Sequence, residues 1–254
     1  TVYTPYLTTI LLIILNVAAF VALKAAGFVD ASWPDSCVAF AGVQGGCSGA
    51  LTAHPWSIVS YLFIHINVLH LTVNMLWLLA FGTMLEKTAG RGALLSAFAA
   101  GAVAGAVVFA LAAPGGGYLI GSSAAVLAVA FAALCSGAPA RIEMPGRIRH
   151  WLTPAAWGAA GLLLLSQTDA ISAHLTGMLT GILLGTIFAA QRRRREQTAR
   201  QHAMRLSRRD SLLRKANTLG FTALSAAERQ TLFELSDSVH DNDMESATTI
   251  ARRQ

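Results

Sequence analysis

The sequence predicts an all-α polytopic membrane protein, a bundle of six transmembrane helices followed by a small helical cytoplasmic tail. Composition is the first observation behind this: 54% of the 254 residues are hydrophobic and only 13% are charged, with a mean hydropathy of +0.54. Charge placement is the second. Residues 1–190 carry six basic side chains (Lys24, Lys87, Arg91, Arg141, Arg147, Arg149) and five acids (Asp30, Asp35, Glu86, Glu143, Asp169), whereas residues 191–254 carry thirteen basic and eight acidic ones. The third is that apolar stretches recur at lengths near the ~20 residues a spanning helix needs. Two regions follow: a membrane-embedded body over 1–190 and a basic, helical tail over 191–254.

The six stretches fall near Tyr6–Ala26, Ser57–Leu85, Ala93–Ala113, Gly121–Ala138, Leu152–Ser166 and Ala170–Ala190. The first has no basic segment before it and no small-residue cleavage site behind it, so it is expected to be a retained helix. The fifth is interrupted by Pro154 and Gly158. Lys87 and Arg91 follow the second stretch, Arg141, Arg147 and Arg149 the fourth, and Arg192 to Arg195 the sixth. Basic residues flank the cytoplasmic ends of spans, so both termini are expected in the cytoplasm; the membrane expected for the chain is the cell (inner) membrane. The pI of 9.7 belongs mostly to the tail and loops, so the bilayer, and no nucleic acid, is the partner it implies.

The first loop, roughly Gly27 to Pro55, lies outside in this topology and holds Cys37 and Cys47. Thiols oxidise there, which makes the two cysteines candidates for a disulfide, the alternative being a pair of free loop thiols. Cys135 reads as a packing residue in a helix. Three cysteines without a C-x-x-C pair argue against a structural zinc, and no other metal or cofactor is implied. In the tail, Leu206 to Leu219 is basic and periodic, and Ser225-Ala226-Ala227-Glu228 is a capping-box pattern opening a helix with Leu232, Phe233 and Leu235. Short amphipathic helices are expected there.

Several polar residues sit in apolar stretches where each, if unpaired, would cost several kcal/mol. Such groups are functional candidates by default. His70 and Asn74, four apart, stack on one helical face and offer N–H donors to a common point, as an oxyanion requires. His65 points elsewhere or marks where the helix emerges from the loop. Interhelical bonding is the plainer use of such residues. Gly121-Ser122-Ser123-Ala124 follows the glycine-rich run Pro114 to Gly117 and opens a helix. Gly121 permits a tight entry, and a first-turn serine lies near free N–H groups at the positive end of the helix. An ordinary serine cap is the plainer reading, and position alone leaves Ser122 and Ser123 both open as a nucleophile. On the sixth stretch His174, Gly177, Gly181 and Gly185 form one stripe, whose glycines let a neighbouring backbone approach closely enough for a histidine to reach a serine. Gly101-x-x-x-Gly105 has no polar partner and reads as packing. Glu86 and Lys87, at a helix end, read as an interfacial pair.

Over about residues 1–190 the chain resembles the rhomboid intramembrane serine proteases. The residues that carry the resemblance are Trp56, then His65-x4-His70-x3-Asn74, Glu86-Lys87 with Gly90 shortly after, Gly121-Ser122-Ser123, and Ala173-His174-x2-Gly177-x3-Gly181. The resemblance implies a Ser–His dyad with Ser123 as nucleophile and His174 as general base and then acid. It implies an oxyanion hole from His70, Asn74 and the Ser123 N–H, with His65 behind them near a water-accessible mouth. Substrates would be transmembrane segments of other membrane proteins, cut through an acyl-enzyme. Three positions depart from the family pattern. Ala124 replaces a glycine and is expected to narrow the oxyanion region. Leu127 stands where an aromatic often stacks on the histidine, so it would support the ring by packing alone. Ser57 follows Trp56 in place of an arginine. Asp169, five residues before His174, would sit about 7.5 Å along the axis, too far for a triad. A non-cleaving pseudoprotease is the alternative within the family; relatives of that kind lose the serine or the histidine. A transporter would show inverted repeats or further buried charge, and the sequence has neither.

Overall fold

The structure is a computed structural model that describes residues 6–27, 43–44 (backbone only), 54–112, 117–137 and 170–236. Cys37, Cys47, Asp169 and the fifth apolar stretch lie outside the described residues. The chain divides into two compact units, Thr1–Ala190 and Gln191–Gln254.

The first helix, α1 (Leu7–Ala25), buries Thr9, Asn16 and Phe20, which at spacings of seven and four share one face. Leu11, Ile14, Leu15 and Val21 on its other faces are exposed. Polar and aromatic groups inward with branched aliphatics outward suit lipid as the solvent.

The second stretch is expected as one helix, and the structure breaks it. A short helix α2 (Ser57–Ser60) tightens into a 3-10 turn over Tyr61–Phe63. Ile64 is then extended, and the chain re-enters a helix at α3 (Val68–Trp77). Asn67 causes the restart: extended itself, it accepts a hydrogen bond from the His70 N–H at 2.8 Å, a standard amide cap on a free N-terminal donor. A π turn over Leu78–Gly82 joins α3 to α4 (Thr83–Ala89). There α1 packs close, since a Cβ on Gly82 would stand 2.9 Å from Thr9 Cγ2.

Helix α5 (Arg91–Ala112) starts immediately after Gly90, whose φ of +92° suits glycine. After it, strand β2 (Tyr118–Leu119) pairs antiparallel with β1 (Val43–Gln44), Val43 opposite Leu119. Helix α6 (Ser123–Cys135) is only 13 residues long and buries ten of them. Helix α7 (Ile171–Leu219) runs for 49 residues, where separate short helices were expected from Gln191 onward. No glycine or proline occurs between Gly185 and Gly220, and the intervening Arg, Gln, Ala and Leu are good helix formers. Leu7–Ala25, Val68–Ala89, Arg91–Ala112 and Ile171–Leu219 are long and apolar enough to cross a membrane, and α6 is a shorter apolar helix.

Glu86 bonds to α1 rather than standing only as an interfacial charge. It is 1% exposed and accepts from Thr8 N–H (3.1 Å), Thr9 N–H (2.9 Å) and the Thr9 hydroxyl (2.8 Å), with Arg91 Nε 3.6 Å away. A carboxylate from the end of the second span thus satisfies orphan donors in the first turn of α1. Glu86→Ala leaves them buried and unmatched, with an expected loss of about 2–3 kcal/mol, readable as a lowered unfolding temperature in detergent.

In the second unit, Leu212, Leu224 and Leu232 form a small core with Ala216 against it. Gly220 (φ +87°) ends α7, and helical residues 226–236 follow, opened by the capping box. Ser225 N–H donates to Glu228 Oε2 at 2.8 Å, and Glu228 N–H donates to Ser225 Oγ at 3.2 Å. Of the apolar residues expected on this helix, Leu232 is buried and Phe233 exposed.

Candidate active site

The starts of three helices meet in the first unit: α6 brings Ser123 against His174 of α7, and α3 brings His70 against Gly121, which precedes Ser123, with Asn74 one turn further along α3. Ser123 Oγ lies 2.8 Å from His174 Nε2, with the two residues 2% and 1% exposed. Among the described residues His174 Nδ1 has no hydrogen-bond partner.

Glycines create this approach. A Cβ on Gly177 would collide with the Ala124 carbonyl oxygen, one on Gly181 with that of Ala128, and one on Gly185 would lie 2.7 Å from that of Ala132. The stripe therefore seats α7 on the α6 backbone at every turn. On the other side of α6, a Cβ on Gly105 would be 2.8 Å from the Ala124 Cβ. The Ala124 methyl thus packs toward α5, where Gly105 makes room for it.

Gly121 turns the chain into α6 with φ +94°, a conformation glycine adopts at no steric cost. Its N–H donates to the Tyr61 carbonyl at 2.8 Å, and the Tyr61 hydroxyl donates to the Ala102 carbonyl at 2.9 Å. His70 lies directly over Gly121, since a Cβ there would be 2.6 Å from His70 Cε1 and 2.9 Å from Nε2. Asn74, fully buried, donates from Nδ2 to the His70 carbonyl at 2.9 Å, while its Oδ1 has no partner among the described residues. One amide N–H of the two is thereby used. As the first residue of α6, Ser123 has a backbone N–H without an intrahelical acceptor.

His65, expected behind the oxyanion donors, is fully buried, and His70 is half-buried. His65 precedes α3 and meets the His70 ring edge-on, centroids 5.2 Å apart. Its Nε2 lies 3.4 Å from Ser122 Oγ. Leu127, four residues past Ser123, is buried. Trp56, 44% exposed, packs edge-on to His54 at 5.1 Å.

Sequence reasoning missed the Tyr61 carbonyl that anchors Gly121, the strand pairing just before that turn, and the Ser122–His65 contact. Asn67, a cap residue three before His70, was the available signal for the break that frees Tyr61 and His65.

Apolar spans around a buried polar centre define a multi-pass helical membrane protein. The Rhomboid domain family model matches residues 52–191, more than half of the chain, and the chain belongs to the rhomboid family. It is 31% identical over 151 residues to a protein named Rhomboid protease GlpG from Serratia proteamaculans (strain 568). That alignment covers 56% of this chain and 51% of the relative, so the chain spans about half the length of the curated relative it matches.

Proposed function

We propose that the protein is an intramembrane serine endopeptidase that cleaves transmembrane segments of other membrane proteins. The observation that carries this reading is the 2.8 Å contact between Ser123 Oγ and His174 Nε2, buried where the family's motifs fall. In this reading His174 Nε2 takes the hydroxyl proton as Ser123 Oγ attacks a peptide carbonyl carbon. The resulting oxyanion accepts from the His70 ring, the second Asn74 amide N–H and the Ser123 N–H, donors worth roughly 3 kcal/mol each in such sites. Collapse passes the proton from His174 to the leaving amine. Water then repeats the sequence on the acyl-enzyme, with no acidic third member.

Residues 1–190 would form the protease domain and 191–254 a cytoplasmic tail, with both termini on the cytoplasmic side of the inner membrane. The Glu86–α1 contacts support the relative orientation, because they put the start of the first span and the end of the second at one membrane face. The site then lies toward the opposite face, where the N-termini of α3, α6 and α7 meet.

A fluorophosphonate probe tests the reading: the wild-type chain is expected to form a covalent adduct at Ser123, absent in Ser123→Ala and strongly reduced in His174→Ala. An adduct that persists in Ser123→Ala overturns the assignment, and a folded wild type that neither labels nor cleaves points to the pseudoprotease.

A further inference from the structure

We infer that Ser122 is a positioning residue, which acts through His65 to hold the His70 ring at its place over Gly121. The inference rests on the reading of His70 as an oxyanion donor. Two consecutive serines bond to two histidines from different parts of the chain: Ser123 to His174 at 2.8 Å and Ser122 to His65 at 3.4 Å. Ser122 and His65 are both 0% exposed, and a buried hydroxyl and imidazole that face one another each satisfy a polar group hydrocarbon would penalise.

What His70 needs is support for its ring. Its Nδ1 is buried with no partner among the described residues, and the ring is seated by packing on two sides. One face of that packing is the Gly121 backbone, close enough that a Cβ would collide with Cε1 and Nε2. Another is the His65 ring, which meets His70 at 64°. His65 is itself held by Ser122, the residue between Gly121 and Ser123. The segment that carries the nucleophile therefore supplies one support of the oxyanion donor, at Gly121, and anchors the other through Ser122. A shift of the α6 N-terminus moves Ser123, Gly121 and the His65 anchor together, which keeps the donor in register with the attacking oxygen.

The test uses the full chain in detergent or nanodiscs with a transmembrane peptide substrate. Ser122→Ala is expected to lower kcat about 10-fold with KM within about twofold, because the loss falls on transition-state stabilisation. His65→Phe is expected to behave similarly, and Ser122→Ala combined with His65→Phe to fall no further than either alone. Single-variant losses that multiply in the double variant, or full kcat in Ser122→Ala, overturn the inference. An independent reading comes from ¹⁵N-histidine spectra of the same chain. Ser122→Ala is expected to move the His65 and His70 imidazole resonances and leave those of His174 in place. Unmoved His65 and His70 signals refute the inference whether or not the protein cleaves, while labelling of Ser123 in the wild type reports separately on the protease reading.

Discussion

His174→Asn is expected to lower kcat/KM for a transmembrane peptide by about 10⁴-fold or more, while the unfolding temperature changes by only a few degrees. Asparagine keeps a polar group of moderate size at a site 1% exposed, so the helix packing around Gly177 persists. What it lacks is a ring nitrogen that can take the Ser123 proton and return it to a leaving amine. Steady-state cleavage in detergent, with thermal unfolding followed on the same samples, checks both halves. An activity loss below about tenfold would mean that another group serves as base.

Gly177→Val carries the second large effect, on geometry rather than chemistry. A Cβ at Gly177 overlaps the Ala124 carbonyl oxygen, and the α6 backbone cannot swing aside as a flexible side chain would. The helices must separate by about 1 Å, which stretches the 2.8 Å Ser123–His174 contact past useful length; misplacements of that size cost about 10²-fold in rate. Overpacking adds about 1–3 kcal/mol of destabilisation. Gly92→Ala is the control, because nothing lies within 4 Å of a Cβ there, and it is expected to be neutral or slightly stabilising. Equal activity in Gly177→Val and wild type would mean the stripe does not set the distance.

Much of the membrane body was legible because lipid imposes length and hydropathy together: α1, α5 and α6 fall close to the first, third and fourth apolar stretches. The contact of Ser123 with His174 was legible only in part: the glycine stripe beside His174 marked a close helix approach, but position alone left Ser122 and Ser123 both open, and the choice of Ser123 came from the family resemblance. The break at residues 64–67 was hidden because Ile64 and Ile66 keep hydropathy high through a segment that is not helical. The π turn is hidden for the same reason, since changing from i+4 to i+5 hydrogen bonding leaves no compositional mark. The two-residue pairing of β1 with β2 is too short for any periodicity. Ser122 was weighed only as a rival to Ser123, because a contact with His65 across 57 positions has no local signature. The length of α7 was underestimated because charge was taken as a boundary, although arginine favours a helix about as well as leucine.

The brevity of α6 has a consequence for where chemistry happens. Thirteen helical residues rise about 20 Å, against about 30 Å of hydrocarbon. If the Cys135 end reaches one lipid–water boundary, Ser123 stops about 10 Å short of the other. In the proposed protease reading, a scissile bond descends to the hydroxyl, and the solvent that completes the turnover is led down with it.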